Sequence, residues 1–176
     1  MANYVYIATS LDGFIATADG GIDWLNEIPN PDKSDYGFAE FMSGIDALVM
    51  GRGTFEKVLD FDFWPYDKPV LVLSNSMTEL PEGIVGKAEL ISGEISKVVS
   101  QLNKQGYNNL YIDGGKVIQS FFKEDLIDEL IITRIPILLG DGIPLFGKLD
   151  QQLKFRHNKT ETYNNMLVKS SYTRDR

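Results

Sequence analysis

The stretch "VMGRGTFEKV", Val49 to Val58, ends an apolar run, "IDALVMG", in Gly51-Arg52-Gly53-Thr54 just as a helical pattern begins. A strand that feeds a helix through glycines leaves backbone N–H groups converging on one spot, here with an arginine beside them. Such a turn suits a phosphate, and it implies a strand-turn-helix unit of a mostly parallel sheet. The competing reading is structural, because glycines at strand-helix turns often serve only positive φ or close packing.

Working outward, "YVYIA" (4–8), "DALVM" (46–50), "VLVLS" (70–74) and "LYI" (110–112) are apolar runs of strand length. Most are nearly continuous in hydrophobicity, as expected for a sheet covered on both faces. Between them, "DYGFAEFMSG" (35–44), "TFEKVLDF" (54–61), "ISKVVSQLNKQ" (95–105) and "KVIQSFFKE" (116–124) suit helices. Longer strands are predicted in "DELIITRIPIL" (128–138) and in the pair "KFRHNKTET" (154–162) and "NMLVKSSYT" (165–173), joined by a short turn near Tyr163 to Asn165. The order is βαβαβ with an appended antiparallel section, and "NEIPNPDKSD" (26–35) is a long polar loop. With 176 residues, of which 43% are hydrophobic, one domain spanning 1–176 is expected.

Composition narrows the function classes. The net charge is −8, with the acids scattered, so no broad basic face meets a polyanion and neither nucleic acid nor an anionic membrane is an expected partner. Cysteine is absent and His157 is the single histidine, which removes disulfides, thiolate chemistry and histidine-based metal clusters. The opening "MANYVYIATSLDGF" has no cationic segment and only a short apolar run, so a soluble, cytoplasmic protein is expected.

A second glycine turn, "YIDGGKVIQSFF", places Gly114, Gly115 and Lys116 at another helix start. A third strand end, "VLVLSNS", carries Ser74, Asn75 and Ser76, whose hydroxyls and amide suit a further phosphate or a ribose. Two phosphate-binding turns fit a dinucleotide pyrophosphate better than one. Neither is G-x-G-x-x-G, so the Rossmann fingerprint is missing.

Taken together, "SLDGFIA", "ALVMGRGTFE", "VLVLSNS", "LYIDGGKVIQSFF" and "DELIITRIPILLGDGIPLF" resemble the dihydrofolate reductase-like superfamily, and more closely its branch related to the reductase domain of bacterial riboflavin biosynthesis. The segments fall in the family's order from Asn3 to about Phe146. The resemblance implies a three-layer α/β/α fold whose central, mostly parallel, eight-stranded sheet ends in antiparallel C-terminal strands. It also implies NADPH bound across the carboxyl ends of the strands, and a homodimer.

Carried onto these positions, the resemblance implies that Gly51, Arg52, Gly53 and Thr54 face the pyrophosphate and adenosine phosphate, and that Ser74, Asn75 and Ser76 face the adenosine end. Asp113 stands before the paired glycines, where folate enzymes have a further glycine and the riboflavin branch an acid. Gly114 and Gly115 let the backbone approach the cofactor, often beside a non-proline cis peptide, so a valine at either is expected to occupy cofactor space. Lys116 faces a phosphate, Ala8 lies close to the nicotinamide, and Leu11 to Ile15 begin a mobile loop over it.

On the substrate side, Asp35 falls where folate enzymes keep the acid that polarises the pterin, and Thr133 where they keep its hydroxyl partner. A buried carboxylate there has a raised pKa and supports protonation of a C=N bond. Asp35 also sits near the start of a predicted helix, where an Asp is very often a cap, and Thr133 is an ordinary strand residue. Phe63, Trp64 and Tyr66 in "FDFWPYDKP" either wall a flat heterocycle or anchor a loop; "LLGDGIPLF" reads as a glycine-rich bend, and His157 as structural.

Three functions remain. The first is an NADPH-dependent reductase of a pyrimidine-type or related C=N or C=O compound, similar to the riboflavin-pathway reductase but without the histidine and cysteines of its usual zinc deaminase partner domain. The second is a dihydrofolate reductase. The third is a non-catalytic nucleotide- or drug-binding protein on the same fold.

Overall fold

A computed structural model describes the chain from Met1 to Arg176. The first half contains β1 (Ala2–Thr9), β2 (Phe14–Ala16), α1 (Asp23–Asn26), α2 (Phe38–Ser43), β3 (Ala47–Gly51), α3 (Arg52–Leu59) and β4 (Val70–Leu73). The second contains β5 (Ala88–Ile91), α4 (Ile95–Lys104), β6 (Asn109–Asp113), α5 (Gly115–Lys123), β7 (Glu129–Arg134), β8 (Ile143–Pro144), β9 (Phe155–Tyr163) and β10 (Leu167–Arg174).

Eight strands form one sheet in the order β5-β4-β3-β6-β1-β7-β10-β9. Every pairing from β5 through β7 is parallel, while β10 runs antiparallel to both β7 and β9. This is the mostly parallel α/β sheet with antiparallel C-terminal strands that the sequence implies. Alternation along the strands divides it into two faces. Val5, Val49, Leu71, Leu110, Ile112 and Leu130 meet α4 and α5 on one face. Leu48, Met50, Val70, Val72 and Tyr111 meet Phe55 and Val58 of α3 on the other, with Phe38 and Phe41 of α2 packed alongside. Helix α5 shows why it forms where it does: Val117, Ile118, Phe121 and Phe122 make a single buried stripe at helical spacing.

Four local differences from the sequence reading have physical causes. The strand predicted over 128–138 stops at Arg134, two residues before Pro136, which cannot donate to a ladder. The helix predicted over 35–44 starts only at Phe38, because Tyr36 and Gly37 take φ of 54° and 86°. Edge strand β5 has Glu89 exposed within four residues, too short and polar a pattern to read. The bend in "LLGDGIPLF" contains β8, which pairs with β2 in a separate two-stranded sheet. No helix is long and apolar enough to cross a membrane.

Candidate active site at the carboxyl ends of the strands

Adjacent strands β3 and β6 send their chains to opposite faces of the sheet, β3 into α3 and β6 into α5. The register that pairs Met50 with Asp113 brings their ends level. That is a topological switch point, where an open α/β sheet forms a ligand crevice. The two glycine turns touch there. Gly114 takes φ 88°, and a Cβ on it would lie 2.2 Å from Thr54 Oγ1, so only glycine lets the second turn close on the first. Neither α3 nor α5 has a side-chain cap at its N-terminus, so the first-turn N–H groups of both helices remain free for a ligand. Nothing lies within 4 Å of the place a Cβ on Gly53 would take, so the first turn is open on that side.

Arg52 is exposed beside this pair of turns. Its Nε bonds Glu56 Oε1 at 2.7 Å, while its Nη1 lies 3.5 Å from Ser76 Oγ. The strand end 74–76 is thereby placed next to the first turn, and Ser74 Oγ closes its own turn by accepting from Met77 N at 3.0 Å. Asn75, Ser76 and Lys116 are exposed. The structure thus gathers Gly51, Arg52, Gly53, Thr54, Ser74, Asn75, Ser76, Gly114, Gly115 and Lys116 along the ends of β4, β3 and β6.

Asp113 sits half-buried at the end of β6, and Gly114 N donates to its Oδ1 at 2.8 Å. Burial raises its carboxyl to about 6, against the opposing pull of that hydrogen bond. It shares its face with Tyr111, and its charge adds to the burial that holds the Tyr66 and Tyr111 hydroxyls neutral. On the next three strands of the sheet, Ala8 of β1 stands opposite Thr133 of β7, which stands opposite Lys169 of β10. Thr133 is buried, and Lys169 is nearly so.

Asp35 is not a buried acid. It is exposed, its Oδ1 accepts from Gly37 N and its Oδ2 from Ala39 N, both at 2.9 Å. Those hydrogen bonds, Ala39 first and Gly37 next, lower its pKa, the reverse of what a proton donor at neutral pH needs. The expected pairing with Thr133 is not made. The cap reading of Asp35 is the one the geometry supports.

A family model described as the RibD C-terminal domain matches residues 4–169. The chain belongs to that family. The uncharacterized protein YwjB of Bacillus subtilis is 38% identical over 162 residues, covering 90% of each chain. A candidate riboflavin biosynthesis protein from Shewanella sp. PV-4 is 54% identical over 100% of both chains, with a TM-score of 0.97. The Thermotoga maritima diaminohydroxyphosphoribosylaminopyrimidine deaminase/5-amino-6-(5-phosphoribosylamino)uracil reductase aligns over 99% of this chain and 56% of its own, at 16% identity and a TM-score of 0.75. A dihydrofolate reductase from Enterococcus faecalis complexed with NADP(H) aligns over 99% and 97%, at 17% identity and a TM-score of 0.70. The last two likenesses are of fold, dihydrofolate reductase-like in both.

Within this RibD C-terminal domain fold, one further expectation is corrected and two more gain a structural account. Every peptide bond is trans, and the approach of the two turns is made by Gly114. A side chain at Gly114 would strike Thr54, and one at Gly115 would strike Ile15 Cδ1 at 2.8 Å, so protein packing alone already disfavours a side chain at either position. The loop Leu11 to Ile15 is fastened: Asp12 accepts from Ser10 Oγ at 2.5 Å, Gly140 N at 2.8 Å and Leu139 N at 3.2 Å, while Leu145 N donates to Gly13 O. Trp64 packs edge to face against Phe55 and Tyr66, which makes it a loop anchor, and Phe63 is exposed. His157 is exposed and pairs with Thr160 Oγ1.

Sequence reading missed Asp12 and the group Tyr6, Tyr36, Glu161, Tyr163 and Lys169. The carbonyl of Tyr36 accepts from Lys169 Nζ at 2.7 Å and from Tyr6 Oη at 2.9 Å, tying the start of α2 across β1 and β10. Only a β-strand register between residues more than a hundred positions apart assembles that group. The one local signal was an aromatic residue before Gly37, at the head of a predicted helix.

Proposed function

We propose that this chain is an NADPH-dependent reductase acting on a pyrimidine-type heterocycle at a C=N or C=O bond. The observation that carries the reading is the meeting of two uncapped helix N-termini at the switch point, with Arg52 beside them. The donors fit a pyrophosphate, because first-turn N–H groups from α3 and α5 converge and the Gly53 side stays open. Gly51, Arg52, Gly53, Thr54, Gly114, Gly115 and Lys116 would hold the phosphates, Ser74, Asn75 and Ser76 the adenosine end, and Ala8 the nicotinamide side. NADPH when bound supplies the hydride.

The chain's own part in the chemistry is to orient the heterocycle and keep a proton in reach. Burial raises the Asp113 carboxyl to about 6, which brings its protonated form toward neutral pH. Its Oδ1 is occupied by Gly114 N, which leaves Oδ2 to carry the proton. A carboxyl tuned toward neutrality in a crevice suits general acid catalysis. The heterocycle lies on the face shared by Ala8, Thr133 and Asp113, and a homodimer in the cytoplasm is part of the same proposal.

Loss of NADPH absorbance tests the reading with 5-amino-6-(5-phosphoribosylamino)uracil and, in parallel, with dihydrofolate. Turnover of the first is expected. Turnover of dihydrofolate alone would replace the substrate, and NADPH binding without turnover of either would favour a non-catalytic binding protein. Failure to bind NADPH at all would overturn the proposal.

A further inference from the structure

Arg52 opens α3 and Glu56 follows one helical turn later, so their side chains meet on the helix surface. Helix stability does not account for the pair. A cation at a helix N-terminus opposes the macrodipole, the first turn of α3 holds no acid, and arginine before glutamate is the less favourable order for such a pair. The two side chains are 53% and 49% exposed, a setting in which the contact adds little to the fold.

What the contact does is divide the guanidinium. Nε donates to Glu56 Oε1 at 2.7 Å, Nη1 lies 3.5 Å from Ser76 Oγ, and Nη2 makes no hydrogen bond in the protein. A planar guanidinium spreads five donors over separate edges, so it can hold Glu56 and an anion at once. Ser76 is itself set in place: its N donates to Ser74 Oγ at 3.3 Å, and Met77 N donates to the same oxygen at 3.0 Å. Glu56 therefore grips one edge of a long, flexible side chain, and the unused Nη donors stand beside the Ser76 hydroxyl.

We propose that Glu56 is a positioning residue for cofactor recognition: its hydrogen bond fixes the Arg52 guanidinium so that the Nη edge, with Ser76, reads a phosphomonoester on the adenosine ribose. This rests on the reductase reading above and adds to it the group that makes Arg52 selective. Glu56 has two opposing effects. Its charge repels a phosphate, but the site is exposed and water and salt screen that repulsion. Its hydrogen bond removes rotamer freedom from Arg52 before the phosphate arrives, so less ordering remains to be done on binding. At this open site the second effect prevails.

Glu56→Ala and Glu56→Gln separate the two effects. Alanine removes both charge and acceptor, whereas glutamine keeps an Oε1 that accepts from Nε and loses only the charge. Calorimetric titration with NADPH and with NADH gives the ratio of the two affinities for each protein. Glu56→Ala should lower the preference for NADPH about three- to tenfold, the worth of ordering one long side chain, with NADH affinity within about twofold of wild type. Its ligand-free Tm should stay within about 2 °C of wild type, since an exposed pair is lost. Glu56→Gln should keep the wild-type preference or exceed it. In an Arg52→Ala background, Glu56→Ala should change the ratio no further, because the effect runs through the guanidinium. An alanine variant that matches or exceeds the wild-type preference, a glutamine variant that falls as far as alanine, or a fall that persists without Arg52 would each overturn the proposal and leave the reductase reading intact. A wild type that binds NADPH no more tightly than NADH would do the same. A wild type that binds neither cofactor would reject both readings.

Discussion

Asp35 and Asp113 show how surroundings divide labour between identical side chains. Asp35 spends both carboxylate oxygens on backbone N–H groups in the open, so its pKa falls, whereas Asp113 is half-buried and its carboxyl rises to about 6. Asn caps a helix almost as well as Asp, so Asp35→Asn should leave stability within about 0.5 kcal/mol and turnover within about twofold of wild type. A hundredfold loss of turnover would restore Asp35 as the acid. Asp113→Asn should instead cost about 10² to 10⁴ in turnover while NADPH still binds. The same substitution carries a pH signature. The Asp113 carboxyl has a higher pKa folded than unfolded, so its contribution is fully present below about 4 and is lost as pH rises through about 6. Wild type should therefore lose on the order of 2 kcal/mol from this group between those limits, and Asp113→Asn should not. Urea denaturation at both ends of that window measures the difference, and identical pH profiles would remove the ionisation from consideration.

At the scale of elements, the two glycine turns were legible because hydrophobic runs, glycines and helical stripes occur in local order, as in "VMGRGTFEKV" and "YIDGGKVIQSFF". What those turns do to each other was not legible. The contact of Gly114 with Thr54 depends on the pairing of β3 with β6, two strands separated in sequence by β4, β5 and α4. The same is true of the clamp on Tyr36, which needs β1 and β10 brought to either side of β7. Short β2, β8 and β5 escaped notice because two to four residues carry too little periodicity to register. The contact between the turns has a direct consequence. Gly114→Ala adds a methyl group against Thr54 at positive φ, and should destabilise the fold by about 1 to 3 kcal/mol even without any ligand. Chemical denaturation of the ligand-free protein reads this. A variant of normal stability that had lost NADPH affinity would return the glycine to a role in making room for the cofactor.

For the whole molecule, the mostly parallel sheet covered by helices was legible in sequence, whereas the alignment of Ala8, Thr133 and Lys169 across β1, β7 and β10 appears only with the sheet's register. A net charge of −8 would also set the terms on which the proposed anionic dinucleotide binds, since the general field repels it and only local cations attract it. In the proposed reading Arg52 is the cation for that task, with Nη1 directed toward Ser76 and Nε engaged by Glu56. The extra phosphate of NADPH, set between Arg52 and Ser76, should make NADPH the preferred cofactor over NADH. At a concentration about a hundred times Kd, NADPH should stabilise the fold by about 2.7 kcal/mol and raise Tm by roughly 5 to 10 °C, with a smaller rise for NADH at the same concentration. Arg52→Ala should narrow that gap. The ligand-free Tm should hardly change, because the pair lost with Glu56 is an exposed i,i+4 pair worth at most a few tenths of a kcal/mol. Equal shifts for the two cofactors in the wild type, or an Arg52→Ala protein that keeps the full preference, would mean that discrimination lies elsewhere, with Lys116 the next cation to replace.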